Sequence, residues 1–238
     1  MNLYTDLIKS KIFNGAIDPV LLKHSQEYNV LGVLRYFYPQ KYSTMVLGEA
    51  PDLQDIQNCT GIEVTAAVSE NDMKASRAFS QFISGKEAVR SQQRYINKIQ
   101  SSGYSLTPIS DNIISIYTTG TSNHQKAIFQ AAIRKKLKKS LRYREKFANL
   151  GLAVVFPEIP TSDTEQKCMD WLREVLNEIP KPFDFVYIIA YRFCFYYDVL
   201  GDTFEEKVLS REDAHAIKTI ARMTAEGELS LESYEWLE

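Results

Sequence analysis

The chain has 238 residues, 45% of them apolar and 24% charged, which is close to the globular average and excludes a wholly disordered protein. Its three cysteines, at positions 59, 168 and 194, offer neither a disulfide framework nor a paired-cysteine metal motif, which favours a reducing, cytoplasmic location. The net charge of −2 alone predicts no polyanionic partner, and the sequence shows neither a transmembrane-length apolar run nor a signal-peptide pattern, so we expect no membrane association.

Apolar periodicity predicts helices and short strands in alternation. In chain order these are helices 3–12 and 20–38, strands 44–49, 52–56 and 61–68, helices 69–83 and 86–100, a strand at 113–119, a helix at 123–148, a strand at 150–156, a helix at 164–178, two strands or one bent strand at 183–199, and a helix at 211–226. Pro39 ends the second helix, and Ser69-x-x-Asp72 resembles a capping box that starts the third. This order predicts an α/β (α+β) protein with helices flanking a central mixed β-sheet.

The charge is unevenly distributed along the chain. Residues 126–146 carry nine Lys or Arg and one Glu, a net +8 that leaves −10 for the remainder. A helical wheel places an apolar stripe on one side of this segment, formed by Phe129, Ile133, Leu137 and Leu141. The opposite side carries the basic residues Lys135, Lys138, Lys139 and Arg142. This basic face is either an ordinary solvated helix surface or a surface that contacts phosphates.

Two acidic residues fall on neighbouring predicted strands. Because alternate residues of a strand share a face, Glu63 and Thr65 point the same way, while Ile62 and Val64 point into the core. A carboxylate between β-branched neighbours is costly to bury unless it is paired or bound to a metal. A short turn brings Asp52 beside Glu63, and two carboxylates with an open face suit Mg²⁺, with Mn²⁺ as an alternative.

The pattern Pro51-Asp52, ten further residues and Glu63-Val64-Thr65 resembles the PD-(D/E)XK superfamily of restriction-endonuclease-like nucleases. Its motif is proline-aspartate, a turn, and acid-x-lysine on the next strand. The resemblance implies a core of a helix, three antiparallel strands, a helix and a strand. We therefore interpret residues 1–238 as one domain, with this core at about 20–156, an insertion at about 86–123 and a C-terminal extension at 157–238.

The resemblance also implies a function and a set of site residues. Asp52 and Glu63 would hold a divalent cation, and a bound water would attack a phosphodiester of nucleic acid, with DNA favoured. The basic face of residues 126–146 would follow the nucleic-acid backbone. Many nucleases of this fold form homodimers, so a second copy of the chain is a candidate partner.

Thr65 stands where the superfamily has lysine, and threonine cannot stabilise a charged transition state. Either the lysine has moved to another element, or the site is inactive or works with metal ions alone. Lys136 lies at the edge of the apolar stripe, from which a lysine can reach a cleft, and is the first candidate for the moved lysine. Lys139 is the second candidate.

Two further acids are candidates for the same site. Glu49 is either a third metal ligand or a solvated strand end. Glu27 lies in the 20–38 helix, and a first-helix acid sometimes completes the site in this superfamily, although its spacing does not single it out. Three functions stay open at this point: a magnesium-dependent nuclease, an inactive nuclease-like module that binds nucleic acid or a protein, and an interaction protein without a nucleic-acid role.

Overall fold

The computed structural model describes residues 17–83, 89–110, 113–118, 122–156, 162–180 and 182–230. The helix predicted at 3–12 lies outside these ranges. The helices are α1 (Pro19–Phe37), α2 (Pro39–Tyr42), α3 (Glu70–Ile83), α4 (Val89–Ser101), α5 (Ser122–Tyr143), α6 (Ser162–Leu176) and α7 (Arg211–Ala225). The strands are β1 (Val46–Leu47), β2 (Leu53–Asp55), β3 (Thr60–Ala66), β4 (Tyr104–Ser110), β5 (Ile113–Thr118), β6 (Asn149–Val155), β7 (Phe185–Ala190), β8 (Phe193–Asp198) and β9 (Thr203–Val208).

The chain divides into two compact units. The larger unit contains Asp18–Ala67 and Phe129–Glu238, and the smaller unit contains Val68–Ile128. The smaller unit therefore takes in the predicted insertion at 86–123 and also α3, the helix before it. All the residues singled out above as candidate site residues belong to the larger unit.

The larger unit is built on a seven-stranded mixed sheet with the order β1-β2-β3-β6-β7-β8-β9. The three central strands, β3, β6 and β7, run parallel, and the strands on either side are antiparallel. Helices flank the sheet, so the predicted α/β fold with a central mixed sheet is confirmed. Along the chain, α1, β1 to β3, α5 and β6 follow one another, with α3, α4, β4 and β5 between β3 and α5.

Strand alternation separates the two faces of β3. Ile62 and Val64 belong to the core cluster that includes residues of α1 and α7, which pack against each other. Glu63 points to the opposite face, where it meets side chains of α5. There Phe129 of α5 contacts Trp171 of α6, with ring centroids 6.2 Å apart. This packing holds α5 beside the sheet.

The smaller unit combines α3, α4 and the antiparallel pair β4–β5. The predicted capping box at the start of α3 is confirmed, because the Asp72 amide donates to Ser69 Oγ at 3.1 Å and the Ser69 amide donates back to the Asp72 carboxylate. The Tyr104 hydroxyl also donates to Asp72, at 2.6 Å. Asp72 thus links the helix start to β4.

Three elements depart from the sequence-based prediction. β4 was not predicted, because its segment within the expected insertion contains Ser, Thr and Pro108. β9 was missed because an edge strand needs no apolar alternation, and most of its side chains are exposed. Pro39 ends α1 as predicted but also starts the short α2, where its missing N–H costs nothing.

α5 is the longest helix of the described ranges, although it ends at Tyr143 rather than at 148. Residues 144–146 form a turn, and Phe147 is buried. Within the described ranges, neither α5 nor any other helix combines the length and apolarity needed to cross a membrane.

Candidate active site

Asp52 and Glu63 lie side by side on neighbouring strands. Leu53 of β2 is paired with Ile62 of β3, so one step further along this register Asp52 lies beside Glu63. Asp52 Oδ2 accepts a hydrogen bond from the Val64 amide at 2.8 Å. The two acidic residues are only 3% and 1% exposed. The structure therefore brings together the two carboxylates that the sequence singled out.

The turn before β2 aims Asp52 at β3. The Gly48 amide donates to the Asp52 carbonyl at 2.9 Å and closes this turn. A Cβ at Gly61 would come within 2.5 Å of the Pro51 ring, so the glycine makes room for Pro51 over the strand. The Asp52 carbonyl and the ring of Pro51 are thus held in place, and the Asp52 side chain is directed at β3.

Lys136 reaches both carboxylates from α5. Its Nζ lies 2.5 Å from Glu63 Oε1 and 3.7 Å from Asp52 Oδ2, and its side chain is 15% exposed. Ile133 and Leu137 are buried on either side of it, so Lys136 occupies the edge of the apolar stripe. The structure places the first candidate for the moved lysine at the acidic pair.

Two more residues of α5 face the same carboxylates. Lys139 Nζ lies 3.3 Å from Glu63 Oε1, although its side chain is 49% exposed. Lys139 is therefore not only part of the solvated face, as the helical wheel predicted, because it bends inward to Glu63. Burial and the negative charge of Glu63 raise the pKa of Tyr143 to about 12, so its hydroxyl stays protonated near neutral pH.

A third buried carboxylate, that of Glu27 on α1, joins the site. Lys23 Nζ lies 3.0 Å from Glu27 Oε1 and 3.1 Å from Asp52 Oδ1, so one ammonium bridges the two acids. His24 Nδ1 lies 2.9 Å from Glu27 Oε2. Sequence reasoning named Glu27 but missed Lys23 and His24. The signal for both was their spacing, because Lys23 and His24 precede Glu27 by four and three residues. Residues at these spacings share one face of a helix.

Charges at the site are balanced. Three carboxylates meet three ammonium groups, which is how ionised groups can remain this deeply buried. Two oxygens are exceptions among the described residues, because Glu63 Oε2 and Glu27 Oε1 are buried without a hydrogen-bond partner, although Lys23 Nζ lies 3.0 Å from the latter. A buried carboxylate oxygen of this kind is destabilising unless a cation or a water approaches it.

The carboxylates of Asp52 and Glu63 fit a Mg²⁺ ion that takes only a few of its ligands from the protein. The described part of the chain contains no group of three or more His, Cys, Asp or Glu side chains arranged as a metal centre. Mg²⁺ does not require such a group, because it keeps several waters and is often held by one or two carboxylates. Asp52 and Glu63, with the unpartnered Oε2, meet that lower requirement.

The remaining candidates lie apart from this cluster. Glu49 is exposed and lines a surface depression, and none of its contacts in the described ranges joins it to Asp52 or Glu63. Thr65 is half-buried on β3, two residues beyond Glu63 and therefore on the same face. The basic residues Lys135, Lys138 and Arg142 are exposed on α5, as the helical wheel predicted.

In comparisons with known proteins, no family model, no curated protein and no solved structure matches the chain. A conclusion about function must therefore be drawn from the chemistry of the site itself.

Proposed function

We propose that this protein is a divalent-cation-dependent phosphodiesterase that acts on nucleic acid, with DNA as the favoured substrate. The observation that carries the proposal is the buried Asp52–Glu63 pair with the Lys136 ammonium in contact with both carboxylates. The sequence motif around these acids and the order of elements from α1 to β6 support the same reading.

Asp52 and Glu63 have the chemistry to hold Mg²⁺ or Mn²⁺. A bound divalent cation supplies Lewis acidity toward a phosphate oxygen and makes water a better nucleophile. The unpartnered Glu63 Oε2 supports this assignment, because a cation would satisfy the oxygen that the protein leaves without a partner. The amide of Val64 donates a hydrogen bond to Asp52 Oδ2. The other oxygen of Asp52, Oδ1, is therefore the one that could bind a cation.

Lys136 has the position of the charge-stabilising group. Its ammonium is mostly buried beside both carboxylates, where it can turn from Glu63 to a phosphate oxygen as negative charge develops there. Lys139 also contacts the Glu63 carboxylate, and its side chain is half-exposed. A substrate phosphate that approaches from solvent would meet Lys139 before it meets Lys136. The cationic role of the superfamily's motif lysine would thus be carried by α5 instead of β3.

The exposed basic face of α5 supports nucleic acid as the substrate class. Lys135, Lys138 and Arg142 are exposed on the helix that also carries Lys136. Cations spaced along one helix can each neutralise a phosphate of a polyanionic backbone and release its counterions.

One observation favours a second candidate function. Lys136 and Lys139 already neutralise Glu63, and Lys23 neutralises Glu27 and Asp52, so the site is balanced without any metal. Ion-pair networks of this kind also occur as purely structural features. On this account the protein binds nucleic acid through α5 and does not cleave it.

The test is a cleavage assay with matched variants. The purified protein is incubated with linear, circular and single-stranded DNA and with RNA, in Mg²⁺, Mn²⁺ or EDTA. We expect cleavage that requires the metal and is lost in Asp52→Asn and Glu63→Gln. Glu49→Gln, which removes an exposed acid three residues before Asp52 in sequence, serves as the control and should cleave like the wild type. Circular dichroism checks that each variant is folded.

Three results would contradict the nuclease. Full activity in both acid variants would exclude Asp52 and Glu63 as metal ligands. Absence of cleavage by the folded wild type, together with salt-sensitive binding of DNA or RNA, would establish the second candidate. Absence of any binding at low salt would overturn both.

A further inference from the structure

Lys23 lies between two buried carboxylates in the manner of a bound cation. Its Nζ contacts one oxygen of Glu27 and one oxygen of Asp52 at nearly equal distances, 3.0 and 3.1 Å. The lysine side chain is 62% exposed, whereas the two acidic side chains are 2% and 4% exposed. A mostly exposed lysine therefore contacts two carboxylates that are almost completely buried.

The two carboxylates hold this ammonium in its charged form. Burial alone would lower the pKa of Lys23, but the contacts with Glu27 and Asp52 outweigh it and raise the pKa above its usual value. Lys23 is therefore a full positive charge at any physiological pH. A lysine ammonium is a compact point charge on a flexible stem, so it can occupy a cation position and also leave it.

Each partner of Lys23 has a further contact in the fold. His24 Nδ1 contacts Glu27 Oε2, the oxygen that Lys23 does not use. The Val64 amide holds Asp52 Oδ2, again the oxygen that Lys23 does not use. Each carboxylate thus has one oxygen fixed by the fold and one oxygen directed at a shared cation. Glu27 Oε1, the oxygen that faces Lys23, is also buried without a hydrogen-bond partner in the described part of the chain, as is Glu63 Oε2, so a cation would satisfy an oxygen of the pair itself.

We infer that Glu27 and Asp52 form a cation-binding pair whose resident occupant is the Lys23 ammonium, so that a divalent cation binds by displacing Lys23. This inference rests on the proposed function because it shares Asp52, and it adds Glu27 as a ligand and Lys23 as a built-in competitor. The exposed stem of Lys23 allows the ammonium to withdraw into water when the cation enters. The cation can bind only to molecules in which Lys23 has left the pair. Its apparent affinity is therefore its intrinsic affinity multiplied by the fraction of such molecules.

Removal of the competing charge should strengthen metal binding. Lys23→Met keeps most of the stem and deletes the ammonium, and Lys218→Met, an exposed lysine of α7, makes the same change of net charge elsewhere. We expect calorimetric titration of Mn²⁺ into the full chain to show binding on the order of tenfold tighter in Lys23→Met. Lys218→Met should bind like the wild type, and Lys23→Met combined with Glu27→Gln should lose the gain.

Thermal unfolding gives a second measurement that is independent of catalysis. Lys23→Met leaves Glu27 and Asp52 without their shared cation, so we expect its Tm to fall in EDTA and to rise more than that of the wild type when Mn²⁺ is added. The variant Lys23→Gln repeats the test with a polar side chain, should the methionine disturb folding.

The outcomes separate this inference from the nuclease itself. Unchanged or weaker Mn²⁺ binding in folded Lys23→Met and Lys23→Gln overturns the inference, even if the wild type cleaves DNA. The absence of Mn²⁺ binding in every variant overturns it as well. Tighter binding in the absence of any cleavage supports the inference and counts only against the nuclease.

Discussion

Lys136 Nζ lies 2.5 Å from Glu63 Oε1, although 73 positions separate the two residues in sequence. The pair joins α5 to β3 and provides the acidic strand with a lysine that the strand itself lacks, since position 65 is threonine. A cation can serve a reaction centre from any element whose geometry reaches it, so the spacing of a short motif does not decide whether the group is present.

The first prediction concerns Lys136. Lys136→Met removes the ammonium that would stabilise charge on the phosphate, so we expect cleavage to fall on the order of 10²- to 10³-fold. Mn²⁺ binding should persist, because the carboxylates are unchanged. Steady-state cleavage and calorimetry measure the two effects, with Lys218→Met as the control. Wild-type cleavage by folded Lys136→Met would assign the ion pair a structural role only.

The second prediction moves the lysine back to the strand. Thr65 shares a face of β3 with Glu63, so Thr65→Lys added to Lys136→Met should restore part of the lost cleavage. The double variant is compared with Lys136→Met under the same conditions, and Thr65→Ser in the same background provides a control without charge. Equal rates for the lysine and serine variants would contradict this placement of the charge.

The third prediction tests the basic face of α5. Replacement of Lys135, Lys138 and Arg142 by Gln should weaken DNA binding and reduce the slope of log K against log salt by about one unit per lost phosphate contact. Fluorescence anisotropy in EDTA, over a range of salt concentrations, measures the slope without cleavage. An unchanged slope would show that nucleic acid does not follow this face.

The fourth prediction concerns pH. Hydrogen bonds from the Thr44 hydroxyl and from Asn58 lower the pKa of Asp55 below its usual value, against the opposing effect of burial. A carboxyl group with a lowered folded-state pKa stabilises the fold above its unfolded pKa of about 4 and loses that contribution as pH falls through the folded-state value. Asp55→Asn should therefore melt at a lower temperature than the wild type at pH 7, and the difference should shrink at pH 3. A difference in Tm that is the same at both pH values would contradict this account.

The fifth prediction concerns Gly151 in the central strand β6. A Cβ at this position would lie 2.1 Å from the ring of Phe185, which is buried and in contact with the rings of Tyr187 and Tyr196. Gly151→Ala should therefore lower the free energy of unfolding by about 1–3 kcal/mol. Gly201→Ala, whose Cβ would meet nothing closer than 3.6 Å, is the control. Urea denaturation of both variants measures the difference, and equal values would show that the Phe185 ring can move aside.

Local patterns predicted the elements that carry strong periodicity. α1 and α7 match their expected ranges to within about a residue, because apolar spacing marks both helices and Pro39 marks the end of α1. β9 carried no such pattern, since an exposed edge strand is held by its pairing with β8 and not by burial. β4 was not predicted either, because its polar composition is typical of a loop.

The site was predictable in part. Strand alternation and the short turn predicted that Asp52 and Glu63 lie together, and the helical wheel placed Lys136 at the edge of the apolar stripe. Lys23 was not predictable in the same way, because its contact with Asp52 joins two elements whose relative placement depends on tertiary packing. Glu49 was attractive only because it lies close to Asp52 in sequence.

Parallel pairing of β3 with β6 has a consequence for how the chain acquires its site. Residues 67–148 separate the two strands, so during synthesis Asp52 and Glu63 leave the ribosome long before Lys136. Sheets that depend on such distant pairings form late, because the intervening loop must close first. A nascent chain that ends before α5 lacks the ammonium for Glu63, so its acidic strands cannot be buried at low cost. The contact of Lys136 with Glu63 and the pairing of β3 with β6 thus both depend on residues that are synthesised after the acidic strands.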